Sequence, residues 1–432
     1  MLDYKNKIKN KKILVYGFGI SGKACFHYLK KKNKVFIYDD NEKKVPSIFK
    51  KHKIIKKKIF RNDYDLIVIS PGINKKNCGL ARFIQKNENK IITDLDIFYL
   101  HNLKNKKITI TGTNGKSTTS KLLYEIIKKN NKDVRLAGNI GKPLLSEKNI
   151  KDNTIFVIEA SSYQIEYSKY FRTDFAVILN IFPDHLERHG TFRRYANAKL
   201  KLIFNQNKKN ISFVNKNVFK LLKNKKIHSK IITVNNFSKI QIKVKNNLFK
   251  NLNNLQNLLF ALSVSKSLRL NKKKIEIAVN SFTGLPYRQQ VIIKKKNLQI
   301  INDSKSTSFS STIQLLKSFE NIFWILGGLP KKGDKFNLEK KYFKNIKAYI
   351  YGKNINFFQK KLKNKIFFKN FKNINHALNG VLRDLKNEKN KKKNIIFSPC
   401  AASFDQFENF EKRGKFFNKL LKKTNFIKKS YE

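Results

Sequence analysis

Residues 108–118 read Ile-Thr-Ile-Thr-Gly-Thr-Asn-Gly-Lys-Ser-Thr, and this stretch decides the fold. Residues 108–111 are β-branched and predict a strand, and the residues from 116 onward predict a helix. A glycine-rich turn between a strand and a helix presents backbone N–H groups to phosphate oxygens. In such a loop Lys116 can reach the terminal phosphates of ATP and Ser117 can bind Mg²⁺. We therefore predict a phosphate-binding loop, of a shorter form than the general P-loop because Ile110 replaces the first glycine.

Short β-branched runs alternate with longer amphipathic runs on both sides of this loop. Strands are predicted at residues 13–16, 35–38, 66–70, 108–111, 154–158, 176–180, 298–302, 322–326, 348–351 and 394–398. Helices are predicted at residues 22–32, 116–130, 191–207, 310–318, 357–363 and 406–423. This alternation predicts parallel sheets with helices on both faces. Because strands followed by glycine turns occur in three separate systems, we predict an α/β protein of three domains, at residues 1–93, 94–284 and 285–432.

The composition limits the classes of protein to which the chain can belong. Among 432 residues, 41% are hydrophobic, which excludes an intrinsically disordered chain. No run approaches the roughly 18 apolar residues of a membrane-spanning helix, and the apolar run near the N-terminus is too short for a signal peptide. The three cysteines, Cys25, Cys78 and Cys400, fit neither a disulfide framework nor a zinc site. We therefore expect a cytoplasmic protein without membrane insertion.

The charge of the chain is strongly positive, since 94 Lys and Arg residues stand against 29 Asp and Glu residues, giving +65. Such a charge could attract nucleic acid or phosphorylated metabolites. A nucleic-acid-binding protein usually clusters its basic residues on one face, whereas these lysines are spread along the whole chain. We interpret the charge as a compositional background and expect no specific nucleic-acid partner. The alternative is a basic P-loop ATPase, whose ATP hydrolysis DNA or RNA would stimulate.

Acidic and imidazole side chains follow two further predicted strands. Glu159 follows the strand predicted at 154–158, and Asp184 and His185 follow the one predicted at 176–180. Ligands of doubly wound sheets bind outside the carboxyl ends of the strands, and Mg²⁺ prefers oxygen ligands. We therefore predict that Glu159 and His185 converge on a magnesium ion at the edge that carries the phosphate loop.

Residues 111–118, Thr-Gly-Thr-Asn-Gly-Lys-Ser-Thr, resemble the ATP-binding loop of the Mur ligases, the amide-forming enzymes of peptidoglycan precursor synthesis. The resemblance extends over essentially the full chain. It implies a Rossmann-like N-terminal domain that binds UDP, a central P-loop ATPase-type domain that binds ATP, and a Rossmann-like C-terminal domain that binds an amino acid. It also implies ATP and two magnesium ions, and we expect the chain to be a monomer.

The resemblance implies roles for the candidate metal and nucleotide residues. By the family pattern, the magnesium ligands are Ser117, Glu159, His185 and Lys199, the last after carbamylation of its amine. The residues expected to bind ATP are Gly112, Thr113, Asn114, Gly115, Lys116, Ser117, Thr118, Asn254, Asn257, Arg288 and Asp303. Asn253 and Tyr287 depart from the pattern, because each stands where the family has a histidine.

A C-terminal motif selects one branch of the family. Residues 398–414, Ser-Pro-Cys-Ala-Ala-Ser-Phe-Asp-Gln-Phe-Glu-Asn-Phe-Glu-Lys-Arg-Gly, resemble the motif of the D-glutamate-adding member. Within this motif Ser403 and Phe410 match residues that contact D-glutamate, and the family pattern elsewhere in the chain places Asp184, Thr307 and Lys331 at the amino-acid substrate. Ser403 and Asp405 are also predicted to cap a helix beginning near Gln406. The hydrophobic spacing of the motif would equally fit an ordinary capped amphipathic helix.

The N-terminal motif Gly-Phe-Gly-Ile-Ser-Gly, residues 17–22, follows the first predicted strand. Alone, this G-x-G-x-x-G pattern suggests a dinucleotide site, so a nicotinamide-dependent oxidoreductase is an alternative that NAD binding would test. In Mur ligases the first domain instead holds the UDP group of the substrate. The residues that match UDP-facing positions are Ile20, Ser21, Asp39, Ser70, Pro71, Gly72 and Asn139.

Together these resemblances imply ATP-dependent ligation of D-glutamate to UDP-N-acetylmuramoyl-L-alanine through an acyl phosphate. The residues expected to be catalytic are Lys116, His185, Lys199 and Lys305. Another Mur ligase or a folate-polyglutamylating ligase is the alternative within the same fold. The motif at residues 405–414 argues against both.

Overall fold

The computed structural model describes residues 8–234, 242–250, 252–331, 333–386 and 392–424. In these ranges the chain forms three β-sheets whose strands alternate with helices. It divides into two compact units, Met1–Phe282 and Thr283–Glu432, and the first unit contains two of the sheets. The three sheets confirm the predicted fold class. The domain boundaries placed after residues 93 and 284 stay predictions.

The first sheet has four parallel strands in the order β2-β1-β3-β4. The strands of this sheet and the helices between and after them are β1 Lys12–Tyr16, α1 Ile20–Leu29, β2 Lys34–Tyr38, α2 Lys56–Phe60, β3 Leu66–Ile69, α3 Ala81–Lys86, β4 Ile91–Ile92 and α4 Asp94–His101. Because β1 pairs with β3, the loops after these two strands are neighbours, and the Ser70 hydroxyl donates to the Gly17 carbonyl at 2.6 Å.

The second sheet has six parallel strands in the order β10-β9-β8-β5-β7-β6. Its elements begin with β5 Lys106–Thr111, α5 Lys116–Lys129, β6 Val134–Gly138, β7 Ile155–Glu159, α6 Ser162–Glu166 and β8 Phe175–Ile178. They continue with α7 Leu186–His189, α8 Phe192–Phe204, β9 Ile211–Val214, α9 Lys216–Leu221, β10 Lys230–Thr233, α10 Leu252–Ser267 and α11 Lys272–Ser281. Since β5 lies between β7 and β8, the loops that follow these three strands share one edge.

The first two sheets belong to one unit because their cores are continuous. The ring of Phe98 on α4 meets the ring of Phe156 on β7 edge-on, with centroids 4.8 Å apart. Beside this contact, the fully buried carboxylate of Asp96 accepts hydrogen bonds from the N–H groups of three consecutive residues, 169–171, at 2.9, 2.8 and 3.0 Å. Apolar packing and a buried carboxylate thus join α4 to the second sheet.

The third sheet, in the second unit, has the order β11-β12-β16-β13-β14-β15, with only β11 antiparallel to its neighbour. Its elements begin with β11 Gln290–Lys294, β12 Leu298–Asn302, α12 Phe309–Lys317, β13 Ile322–Gly327 and β14 Ile346–Tyr351. They continue with α13 Ile355–Leu362, β15 Phe367–Phe371, α14 Ile374–Lys386, β16 Lys393–Phe397 and α15 Phe410–Lys423. Strand β16 lies between β12 and β13, so the loops at the carboxyl ends of these three strands lie side by side.

One predicted helix start is wrong. The helix expected near Gln406 begins at Phe410, where the Asn409 side chain accepts the N–H of Lys412 at 2.8 Å and caps the first turn. The Ser403 carbonyl accepts the N–H groups of Gln406 and Phe407. Residues 403–409 therefore form a turn that leads into the helix, and the caps predicted at Ser403 and Asp405 are not its caps.

Candidate active site

The predicted phosphate-binding loop lies between β5 and α5. Gly115 precedes the helix with φ of +85°, a left-handed conformation that favours glycine. A Cβ atom there would come within 2.3 Å of Asn257 Oδ1, so Gly115 also allows close approach of α10. This contact places Asn257, a predicted ATP contact from a distant part of the sequence, directly at the loop.

The loop is held by Asn180, which lies two residues after the neighbouring strand β8 and which the sequence analysis did not select. The Asn180 carbonyl accepts the N–H of Thr113 at 3.0 Å, and its side-chain oxygen accepts the N–H of Asn114 at 2.9 Å. The Thr113 hydroxyl lies 3.0 Å from the hydroxyl of the buried Tyr195 on α8. The sequence analysis did not select Tyr195 either, although its position four residues before Lys199 puts both side chains on one face of the helix.

Two lysines meet at one carbonyl group of the loop. Lys116 Nζ donates to the carbonyl oxygens of Gly112 and Thr113, both at 2.7 Å. Lys199 Nζ donates to the same Gly112 oxygen at 3.0 Å and is almost completely buried. Burial, and then the charge of Lys116, hold the pKa of Lys199 well below its usual range, although the carboxylates of Asp184 and Glu159 oppose this shift. The structure thus brings Lys116, Lys199, Glu159 and Asp184 together.

Glu159, the last residue of β7, is buried beside these lysines. Its Oε1 atom accepts a hydrogen bond from Asn139 Nδ2 at 2.6 Å, whereas its buried Oε2 atom has no hydrogen-bond partner in the described part of the chain. A buried acceptor without a partner costs free energy, so this oxygen fits a cation. Asn139, predicted to face UDP, thus lies against the candidate metal ligand.

His185 lies at the start of α7 with φ of +54°, which is uncommon for a residue other than glycine. Its Nε2 atom is 3.4 Å from Asp184 Oδ2, and its ring centroid is 5.0 Å from that of Tyr163. In the described residues, no group of three His, Cys, Asp or Glu side chains could hold a metal by itself. A magnesium ion in a nucleotide site usually takes several of its ligands from phosphate groups and water, and the joint role of Glu159 and His185 in holding one stays a prediction.

The predicted UDP-facing residues surround the loops after β1 and β3. The Asp39 carboxylate, which is largely buried, accepts the N–H of Phe18 at 2.7 Å and of Asn41 at 2.9 Å, so it braces the glycine loop. Ile20 is 77% exposed at the start of α1, and the Ser21 hydroxyl lies at the buried carboxylate of Asp94. Pro71 and Gly72 follow Ser70 at the carboxyl end of β3, at the same edge.

In the second unit, the predicted nucleotide and amino-acid residues meet around an aromatic ring. Lys305 Nζ lies 4.2 Å from the ring centroid of Phe410, and the Arg288 guanidinium lies 5.7 Å from it. The buried Asp303 carboxylate accepts the Gln289 N–H at 3.1 Å and the Ser398 hydroxyl at 3.0 Å. Burial raises the pKa of Asp303 to about 7, against the opposing effect of these hydrogen bonds and nearby arginines.

The remaining predicted D-glutamate residues lie on adjacent loops. Ser403 is buried in the turn before α15. Thr307 lies just before α12, whose first N–H group, that of Phe309, donates to Asp334 Oδ2 at 2.8 Å. Lys331 is close enough to Asp334 for its charge to lower the pKa of that carboxyl, which burial raises. Lys331 and Thr307 thus share one end of α12, and all these roles stay predictions.

Comparison with known proteins finds similar sequences along almost the whole chain. Residues 110–285 match the family model described as Mur ligase middle domain. The chain is 35% identical to the UDP-N-acetylmuramoylalanine–D-glutamate ligase of Rickettsia prowazekii, over 97% of the chain and 99% of the relative. It is 33% identical to the enzyme of the same name from Elusimicrobium minutum, over 96% of the chain and 99% of the relative.

A solved structure with the same architecture is the UDP-N-acetylmuramate-alanine ligase of Thermotoga maritima. It is 17% identical, has a TM-score of 0.56, and the match covers 96% of this chain and 99% of that one. At this identity the likeness shows the fold alone. The full-length relatives show more, and on their evidence the chain belongs to the Mur ligase family.

Proposed function

We propose that this protein joins D-glutamate to UDP-N-acetylmuramoyl-L-alanine, with cleavage of ATP to ADP and phosphate, in peptidoglycan precursor synthesis. The observation that carries the ATP-dependent step is the convergence of Lys116 and Lys199 on the Gly112 carbonyl, beside the unpartnered oxygen of Glu159. The choice of D-glutamate rests on the full-length relatives of that name and on the motif at residues 398–414. Mur ligases use ATP and Mg²⁺.

The first step transfers the γ-phosphoryl group of ATP to the substrate. An oxygen of the terminal L-alanine carboxylate attacks the γ-phosphorus, ADP leaves, and an acyl phosphate forms. The N–H groups of the loop and the ammonium group of Lys116 orient the phosphates and neutralise the charge on their oxygens. A bound Mg²⁺ would supply further charge neutralisation, and Ser117, Glu159 and His185 would hold it.

The second step forms the amide bond. The neutral amine of D-glutamate attacks the acyl carbon, a proton leaves the nitrogen, and inorganic phosphate departs with the former carboxylate oxygen. In our proposal Lys305 binds the anionic reaction centre, while Ser403, Lys331, Thr307 and Phe410 bind the amino acid. Lys305 lies beside the Phe410 ring, and Ser403 lies in the turn that leads to it.

We further propose that the Lys199 amine is carbamylated. The neutral amine attacks carbon dioxide, one proton is released, and the product carries a negative charge. Burial favours the neutral form of this lysine, which is the nucleophilic form, and the nearby charge of Lys116 favours an anion in its place. A second bound Mg²⁺ is part of the same proposal, since the carbamate would add an oxygen ligand.

The protein is expected to act as a cytoplasmic monomer. In the described residues all three cysteines are free thiols, in keeping with a reducing compartment. None of the described helices has the length and apolar character needed to cross a membrane.

The proposed function is tested by ADP formation from ATP with UDP-N-acetylmuramoyl-L-alanine in the presence and absence of D-glutamate. We expect turnover only when both substrates are present, and a panel of L-glutamate, L-alanine, L-lysine and meso-diaminopimelate should not replace D-glutamate. Turnover with another amino acid, or ADP formation stimulated by DNA or RNA, would contradict the proposal. NAD binding to the first domain would favour the oxidoreductase alternative.

A further inference from the structure

Arg413 is a buried cation that the mechanism above does not use. It lies on α15, three residues after Phe410, and only 1% of its surface is exposed. Its Nε atom donates to Ser304 Oγ at 3.1 Å, and its Nη2 atom donates to the carbonyl oxygens of Ser304 at 2.8 Å and Ala401 at 2.9 Å. One guanidinium group therefore joins the loop that carries Lys305 to the loop that carries Ser403.

The next residue, Gly414, fixes a third loop. A Cβ atom at Gly414 would come within 2.4 Å of Tyr287 Cδ1, so the Tyr287 ring packs directly on the helix backbone. The Tyr287 carbonyl accepts the N–H of Lys305 at 3.0 Å, and the Gly414 carbonyl accepts Asn302 Nδ2 at 2.9 Å. Arg413 and Gly414 together thus hold the loops that contain Arg288, Lys305 and Ser403.

Three further buried polar atoms belong to this region. Arg413 Nη1, Asp405 Oδ2 and the Tyr351 hydroxyl are buried, and none has a hydrogen-bond partner in the described residues. The Arg413 charge acts on both neighbours, since it opposes the rise in pKa that burial causes at Asp405 and at Tyr351. The Arg413 charge therefore reaches the turn that contains Ser403, which Asp405 shares.

We propose that Arg413 is a positioning residue for the amino-acid substrate, setting the spacing between Lys305 and Ser403. This inference rests on the proposed function, in which those two residues receive the reaction centre and D-glutamate. The role requires a guanidinium group, because its planar fork donates to three acceptors on two loops at once, whereas an ammonium group is a compact point charge.

The test compares Arg413→Ala and Arg413→Lys with Lys412→Ala, an exposed neighbour on the same helix. For each protein, kcat and KM for D-glutamate are measured in the ADP-release assay, and the fold is checked by circular dichroism. We expect both Arg413 variants to lose about 100-fold in kcat/KM for D-glutamate, chiefly through KM, because displacing a substrate-binding loop by ~1 Å can have that effect. Lys412→Ala should match the wild type.

Chemical rescue separates positioning from general support of the fold. Millimolar guanidinium chloride should restore part of the D-glutamate kcat/KM of Arg413→Ala by occupying the space left by the side chain, and sodium chloride at equal ionic strength should not. A merely structural role would lower kcat with the folded fraction and leave KM for D-glutamate unchanged. That pattern would overturn the proposal, and so would wild-type kcat/KM in Arg413→Lys.

The wild-type measurement keeps the two proposals apart. If the wild-type protein releases no ADP in response to D-glutamate, the proposed function fails. If it does so normally and the Arg413 variants are equally active, only the positioning role fails. If Arg413→Ala does not fold, the folded Arg413→Lys protein decides the matter by the same comparison of KM with kcat.

Discussion

Removal of the Lys199 side chain tests the electrostatics of the phosphate site. The Nζ atoms of Lys116 and Lys199 lie 2.7 and 3.0 Å from the same Gly112 oxygen, so they are no more than 5.7 Å apart. Two positive charges at that distance would repel by about 3 kcal/mol at an effective dielectric constant of ~20. Burial favours the neutral amine of Lys199, which avoids this repulsion, and carbamylation would place there an anion whose attraction to Lys116 is of similar size. Lys199→Ala removes the anion and should therefore weaken binding of the metal and alignment of ATP.

We expect Lys199→Ala to lower kcat by about 100-fold, the upper range for loss of a group that supports a metal site. Acetate or propionate should restore part of the activity by supplying a carboxylate in the vacated space. The matched control is Lys201→Ala, because Lys201 lies on the same helix but donates to the Glu166 carbonyl at 3.2 Å. The assay is ADP release with both substrates present, in buffer with and without bicarbonate.

Two results would refute this reasoning. Full activity of Lys199→Ala without any added carboxylate would show that Lys199 has no catalytic role. A complete loss that no small carboxylate relieves, together with a wild-type rate that does not change on removal of carbon dioxide and bicarbonate, would show that the lysine acts as an amine and not as a carbamate.

Four further predictions concern catalysis and stability. Lys116→Ala should abolish phosphate release from ATP. Calorimetry should show the affinity for the UDP substrate within ~2-fold of the wild type, because the residues predicted to bind UDP lie on other loops. Retained turnover would reject the role of Lys116 in the phosphate loop. Gly115→Ala should lose ATP binding. The left-handed conformation costs a residue with a Cβ atom about 1–2 kcal/mol, and that Cβ would also clash with Asn257. Unchanged affinity in an ATP titration would contradict this. Asp96→Ala should lower the free energy of unfolding by about 3 kcal/mol, because it leaves the N–H groups of residues 169–171 unpaired. The exposed control Asp152→Ala should change that free energy by less than ~0.5 kcal/mol. Equal urea midpoints for Asp96→Ala and the wild type would contradict this. Burial raises the pKa of Asp303 from 3.8 to about 7. Between those pH values the folded protein therefore holds a proton that the unfolded chain has lost, and the stability of the wild type relative to Asp303→Asn should fall as the pH rises from 3.8 to about 7. A difference in thermal midpoint between the two proteins that does not depend on pH would contradict this.

The phosphate loop could be predicted from sequence because its determinants are local. The β-branched run before Gly112 and the Lys-Ser-Thr run after Gly115 specify a strand, a turn and a helix within a dozen residues. The helix predicted at 116–130 is Lys116–Lys129 in the structure. Glu159 and His185 each come after a strand in the sequence, and the rule that ligands bind at the carboxyl ends of parallel strands predicts both at one edge of the sheet.

Contacts between distant parts of the chain could not be predicted in this way. Nothing in the local sequence indicates that Asn257 lies against Gly115, or that Asn139 donates to Glu159. The helix start near residue 406 was placed too early because Ser403 and Asp405 have the chemistry of caps. The helix begins instead at Phe410, because the Asn409 side chain caps its first turn and the Ser403 carbonyl accepts the N–H groups of Gln406 and Phe407 in a separate turn.

The most direct test of the central claim follows one oxygen atom. UDP-N-acetylmuramoyl-L-alanine labelled with ¹⁸O in its alanine carboxylate is incubated with ATP, D-glutamate and the protein, and the released phosphate is analysed by mass spectrometry. An acyl-phosphate mechanism predicts that each phosphate carries one oxygen from the labelled carboxylate and that its release requires D-glutamate. Phosphate without the label would contradict the mechanism.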